Sequence, residues 1–452
     1  MERSRIGWRR ALVAALTALS IGLLAACGSD SSSGGAKPTA QSAKGAVNGT
    51  LSFWLAPTQS SVGKWWNTFI KGFEARHPGA KIDVTQYSTE EFPSKTLAAF
   101  ASGDEPDVFE TDTGEYLNKY IRTGKIAQLN NLAKVGDYNP ASLGPVTLPG
   151  NKLYAIPDYW YVLSMWDNPA LMAKAGVAEP KSWSDLLASC RKLSGQGDVP
   201  IAFGDGGQDQ WTAGHWFSTL LYQYGGPTAA VDAAYGTGGA SWSDPPFIKA
   251  ATALKALVDA KCFPNGFTGI NYSQMSSLFL RGKAPMIYTG AWFGGQIEAG
   301  AKGLKPNVFA PADAPGAVNS TQSLHGIVGG VSAIAASSRA AQRNPALVAA
   351  FLNDFGAAAD QYANQNAQLS VAATPHPRGG SVQAQLTSLL TGVKHLAPVT
   401  DTNIPASLVN DYYQNLQALT AGALTPQQFG QKMVEAVAKE KPNFPKQGTS
   451  GE

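Results

Sequence analysis

The residues best suited to holding a ligand are aromatic, and Trp292 heads them, in a stretch reading RGKAPMIYTGAWFGG from Arg281 to Gly295. The apolar run Ala284 to Tyr288 is too brief for a helix and reads as a buried strand. It ends at Thr289-Gly290, where a turn is cheap, and then presents Ala291-Trp292 before another glycine pair. An indole on a glycine-flanked strand end leaves room for something flat to approach its face. Tyr159, Trp160 and Tyr161 follow Pro157 as a second dense group. Trp211 and Trp216 fall in a third, Gln208-Asp209-Gln210-Trp211 and His215-Trp216, where each suits ligand contact or core packing equally. Trp54, Trp65, Trp66, Trp166 and Trp183 read as structural. Flat faces serve ligands with apolar C–H surfaces, and planar amides or carboxylates serve hydroxyl edges. Sugars combine the two.

Hydrogen-bonding partners of that kind are Asp112, then Gln59 and Thr58. Glu110 suits either the same edge or a solvated loop, and His325 either a donor role or a satisfied structural one. A hydrolase would need two carboxyl groups across the scissile bond, one of raised pKa. With 32 acidic residues a pair can always be nominated, so the count decides nothing. The chain lacks G-x-S-x-G, H-E-x-x-H and a P-loop, and its five histidines stand far apart. Neither a metal site nor a cofactor is expected.

The elements that position these residues begin with a strand at Thr50–Leu55 and an amphipathic helix from Lys64 to Arg76, stopped by His77-Pro78-Gly79. His77 suits the helix C-terminus. A second strand spans Lys81–Tyr87, a helix Pro93–Ala101, and a third strand starts near Pro106. Strand and helix in alternation predict a parallel sheet, with ligands beyond the carboxyl ends of its strands. Thr58, Gln59, Glu110, Thr111 and Asp112 fall on that edge. Val162–Trp166 reads as a strand opening a second lobe, followed by a helix capped at Asn168. Thr425-Pro426-Gln427-Gln428 opens a last helix as a capping box, with Phe429, Met433 and Val437 on its buried face.

The formal charge of +3 on 452 residues misleads. Without residues 1–26, which hold four arginines and one glutamate, 31 basic and 31 acidic residues remain. A neutral body with no basic stripe argues against nucleic acid as partner. Residues 1–26 are an export signal, basic and then apolar, too short for a membrane span. Leu24-Ala25-Ala26-Cys27 resembles the bacterial lipobox, which implies cleavage before Cys27, a diacylglycerol on it, and anchoring to the outer face of the cell membrane. Arg9-Arg10 leaves both the general and the twin-arginine export routes open. Gly28–Ala46 is a flexible tether. Cys190 and Cys262, each near the end of a helical segment in an oxidising compartment, are expected to pair; two buried thiols are the alternative.

Several segments together resemble an extracellular solute-binding protein of the sugar-specific, maltodextrin-binding type that serves ABC importers. They are the lipobox, FEARHPGAKIDV, ASGDEPDVF, YAIP, WDNPALMAKAGV with PKSWSDLL, FLRGKAPMIYTGAW and RNPALVAAFLNDF, in the family's order. The resemblance implies a two-lobed α/β fold of the periplasmic-binding-protein type, with a hinge crossed three times. Carried over, lobe 1 is 47–157 plus 323–375 and lobe 2 is 158–322 plus 376–448. It implies a monomer that captures a neutral mono- or oligosaccharide between the lobes and hands it to permease subunits. It places an aromatic against the ligand at Trp292. It also points to a contact from the helix beginning at Pro405, where Asn410 and Asp411 are nearest.

Overall fold

The computed structural model describes residues 45–444 apart from 58–59, 89–90, 208, 302, 323–325, 379–380, 391–392 and 394. The export segment, Cys27, Thr58, Gln59 and His325 therefore lie outside the described residues. Within them, no helix is long and apolar enough to cross a membrane.

The chain starts with β1 (Asn48–Leu55), α1 (Ser60–Arg76), β2 (Gly79–Gln86), α2 (Phe92–Ser102), β3 (Val108–Asp112) and α3 (Glu115–Ile121). Both β2 and β3 pair with β1 in parallel, as strand–helix alternation requires. Leu51, Phe53 and Leu55 alternate into the core, and α1 turns Trp65, Trp66, Phe69, Ile70 and Phe73 toward it. Trp66 stacks on Phe355 at 5.0 Å and meets Phe53 edge-on at 4.7 Å. Each such side chain contributes about 1.5–3 kcal/mol on burial. His77, beyond the last turn of α1, contacts Asp354 at 3.3 Å.

The next strand, β4 (Ala155–Asp167), is buried along all 13 residues. It departs from the sequence reading, which ended the first lobe at Pro157 and opened a strand only at Val162. Proline has no N–H to give a ladder and would normally end pairing. Here the register shifts opposite Pro157, leaving Asp158 as the extra residue of a β-bulge, and the strand continues.

Beyond β4 come α4 (Trp183–Gly195), β5 (Ile201–Ala202), α5 (Trp211–Gly225), α6 (Pro245–Asp259), α7 (Tyr272–Leu280), β6 (Met286–Gly290), α8 (Phe293–Gly300) and β7 (Asn307–Phe309). The chain then runs through β8 (Gly326–Ala336), α9 (Pro345–Asn366), β9 (Leu369–Ser370), β10 (His395–Ala397), α10 (Ala406–Thr420) and α11 (Pro426–Glu440). The main sheet order is β2-β1-β3-β8-β4-β6-β5. The first part of β4, to Val162, pairs with β8, and the remainder, from Leu163, pairs with β6 and β7. One strand thus belongs to both ends of the sheet.

Cys190 in α4 is bonded to Cys262 just after α6, with Cα atoms 4.7 Å apart and a sequence separation of 72. Closing a loop of that length stabilises by about 2–4 kcal/mol. Asn168 caps the helix Pro169–Lys174 through Ala170 and Leu171. The Thr425–Gln428 capping box opens α11, with Phe429 and Met433 fully buried and Val437 at the margin.

Candidate functional site

A cavity of about 400 Å³ lies where the carboxyl end of β3 faces the starts of α5, α7 and α8. That volume is within the ordinary range for small-molecule sites. Asp112 comes from the end of β3, Tyr116 from α3, and Tyr159 and Tyr161 from β4. Opposite stand Trp211 and His215 of α5, Tyr272 of α7, and Trp292 in the turn into α8. Asp401 and Thr402, in the turn Thr400–Thr402, and Tyr413 of α10 complete the lining relevant here.

The aromatic side is built so that its polar atoms are consumed internally. Trp292 Nε1 donates to the Tyr272 hydroxyl at 2.7 Å, and that hydroxyl lies 3.3 Å from Thr289 Oγ1. Asp209 accepts from Trp211 Nε1 at 3.0 Å and from the Tyr272 backbone N–H at 2.7 Å. One carboxylate therefore ties the starts of two helices. Tyr272 is held further by the Asn271–Gln274 capping box. The rings of Trp211 and Trp292 lie 6.0 Å apart at 66°, with His215 at 4.8 Å and 5.7 Å from them respectively. Burial pushes the His215 imidazole down to about 3, so it is neutral at physiological pH.

Glycine at 290 has a steric reason. A Cβ there would lie 1.9 Å from the Trp292 ring, which folds back over the backbone. The space read in the sequence as room for a ligand is occupied by the indole itself. Trp292, partly buried, borders the cavity.

The other side carries acid. Burial and then the Asp401 charge raise the Asp112 carboxyl to about 6. Burial raises Glu110 to about 7, against a 2.9 Å hydrogen bond from the Ala56 N–H. Glu110 is thus an anchored group rather than a solvated loop charge. Asp158, aimed by the bulge, lies 3.4 Å from Ser332 Oγ, and its carboxyl is raised by burial and by Glu110. Tyr413 donates to Asp401 Oδ2, while Asp401 Oδ1 has no protein partner among the described residues.

Of the residues nominated from sequence, Trp292, Asp112, Tyr159 and Trp211 are brought together here. Trp216 is not: it is 1 % exposed and packs on Tyr288 at 4.2 Å. On α5 the positions i and i+4, Trp211 and His215, share the cavity face, and i+5 turns into the core. Trp160 points to the other face of β4 and lines a separate cavity of about 680 Å³. The described residues lining that cavity include Asn139 and Asn403 but no charged side chain. Asp411 pairs with Lys439 at 3.3 Å away from the cavity; Tyr413 takes its place, and Tyr412 is buried. Tyr116, Tyr272, Asp401 and Tyr413 were missed. The capping box at Asn271 was the available signal for Tyr272.

Residues 56–369 match the family of bacterial extracellular solute-binding proteins. A binding protein of Brucella abortus is 26% identical over 280 residues, 61% of this chain and 66% of the relative. An ABC transporter extracellular-binding protein of Pyrococcus horikoshii is 26% identical over 240 residues, 51% of this chain and 54% of the relative. The chain thus spans between half and two thirds of the length of these curated relatives. Among solved structures, a chitin oligosaccharide binding protein superposes with a TM-score of 0.77 at 23% identity, covering 87% of this chain and 98% of that one. The likeness establishes the fold as periplasmic-binding-protein-like α/β. With more than half of its residues matched, the chain belongs to the bacterial extracellular solute-binding proteins, which bind a solute and perform no chemistry on it.

Proposed function

We propose that the protein is a lipid-anchored receptor that captures a mono- or oligosaccharide in the 400 Å³ cavity and delivers it to an ABC permease. The observation that carries this reading is the aromatic wall. Trp211, Trp292 and Tyr272 have spent their polar atoms on one another and on Asp209, so they offer ring faces, across from carboxylates that accept hydrogen bonds. That division suits the C–H face and hydroxyl edge of a pyranose. The names of the Pyrococcus and chitin oligosaccharide relatives support transporter partnership and carbohydrate cargo.

Residues 47–157 plus 323–375 and residues 158–322 plus 376–448 act as two lobes that close on the ligand, with β4 shared between them. Closure requires only that the sugar bind the closed form better. Cys27 carries the diacylglycerol, and the following tether lets the monomer reorient toward its permease. Cys27→Ala would then release the protein from membranes into the medium.

The test is tryptophan fluorescence of the protein from Gly28 onward, titrated with mono-, di- and oligosaccharides and backed by calorimetry. A saturable response, with the sugar recovered unaltered, is expected. Flat calorimetry across the panel would overturn the carbohydrate reading, and cleaved sugar would overturn the receptor reading.

A further inference from the structure

Resting on the carbohydrate reading above, the geometry points to a cargo that carries a protonated amine: we infer that the cavity selects an amino sugar over its neutral counterpart. The sequence alone had suggested a neutral one.

The charge balance of the cavity is the first observation. Asp112, Asp209 and Asp401 line it, and no lysine or arginine is among the described lining residues. Asp209 is spent on Trp211 and Tyr272. Asp401 is spent in part, accepting from Tyr413 through Oδ2. Burial, the Asp401 charge and Lys119, and no hydrogen bond, act on the Asp112 carboxyl, and Asp401, 6 % exposed, has Oδ1 without a hydrogen-bond partner among the described residues. Asp112 comes from the end of β3 and Asp401 from the turn before α10, so the charges converge on the cavity from separate elements.

A side recess of about 150 Å³ adjoins the cavity, sharing Asp112, Tyr116 and Tyr159 with it and adding Glu110. Lys119 is not among the lining residues of the cavity; its Nζ lies 4.5 Å from the ring centre of Tyr116 and 5.0 Å from that of Tyr120. The Asp401 charge disfavours ionisation of Asp112, and Lys119 only partly offsets this.

Hydroxyl groups could bond these carboxylates yet would leave two like charges enclosed together. An ammonium group bonds and neutralises at once. Its N–H donors match acceptor-only carboxylates, and the faces of Tyr116, Tyr161 and Trp292 give it the ring quadrupoles that attract cations. An acidic sugar is the opposite case and is excluded by the same charges.

The experiment is calorimetry at pH 7 with matched pairs of gluco-, galacto- and manno-configured mono- and disaccharides, bearing a 2-amino or 2-hydroxyl group. In the pair that binds, the amino member should bind about tenfold more tightly or better. Asp401→Asn should erase most of that advantage while shifting the hydroxyl member's affinity far less. Asp112→Asn serves if the first variant does not fold. Equal or tighter binding of the hydroxyl member overturns the charge inference and leaves the carbohydrate reading standing. An amino preference that survives both substitutions overturns the assignment to these carboxylates. Binding by neither member of any pair overturns the inference, and flat calorimetry across the wider panel above overturns the carbohydrate reading with it.

Discussion

The two sides of the cavity are built on opposite principles. On the side of α5, α7 and α8, the polar atoms of Trp211, Tyr272 and Trp292 have partners, and the Asp209 carboxylate serves two of them. On the side of β3 and the Thr400–Thr402 turn, carboxylates are buried with fewer donors than they can accept. A satisfied wall is rigid and presents shape; an unsatisfied one stores a demand that an incoming molecule can meet. The comparison teaches where affinity and where orientation arise.

The largest break in this comparison should come from the satisfied wall. Trp292→Ala is expected to weaken sugar binding by about 1–3 kcal/mol, the scale of losing an aromatic contact, with the thermal midpoint little changed. Gly290→Ala should approach the same loss with Trp292 still present, because the new Cβ displaces the ring. Calorimetry on both variants distinguishes ring placement from ring identity. Asp209→Asn is next: the amide keeps one acceptor, and the Tyr272 or Trp211 bond weakens, costing about 0.5–1.5 kcal/mol in binding.

The unsatisfied wall is read through pH. Glu110 is raised from 4.5 to about 7, so between those values the folded chain holds a proton that the unfolded chain has lost. Its contribution to stability is fully present below the unfolded value and lost as pH rises through the folded one. His215 has the opposite sense, lowered from 6.5 to about 3, and acts only below pH 6.5. Calorimetric midpoints should therefore fall from pH 6.5 to 8, and Glu110→Gln should flatten that fall. A midpoint that climbs over this interval would contradict the burial of the acid side. The smallest effect belongs to Asp411→Asn, expected to change sugar affinity by less than about 0.5 kcal/mol because its carboxylate faces Lys439.

Much of the first sheet was legible because periodicity and burial agree there. Leu51, Phe53 and Leu55 alternate, and the aromatic stripe of α1 repeats at helical spacing, so element and facing could be read together. The shared strand was hidden by Pro157, whose missing N–H reads as an ending unless a bulge absorbs it. The cavity residues were harder for a different reason. Helix α5 is buried on nearly every side, so its polarity does not distinguish the cavity face of Trp211 from the core face of Trp216. On α10 the stripe Leu408, Tyr412, Leu416 and Leu419 marks the core clearly, yet only packing against Asp401 shows that Tyr413 borders the cavity.

The indoles of Trp211 and Trp292 lie 6.0 Å apart and are inclined at 66° to each other. At that separation and tilt their strong far-ultraviolet transitions couple as an exciton pair, giving a signed couplet in far-ultraviolet circular dichroism. A molecule sliding between or against the rings alters their mutual angle, and with it the rotational strength of the couplet. The cavity thus carries its own chiroptical reporter, one that responds to geometry even when emission intensity stays constant.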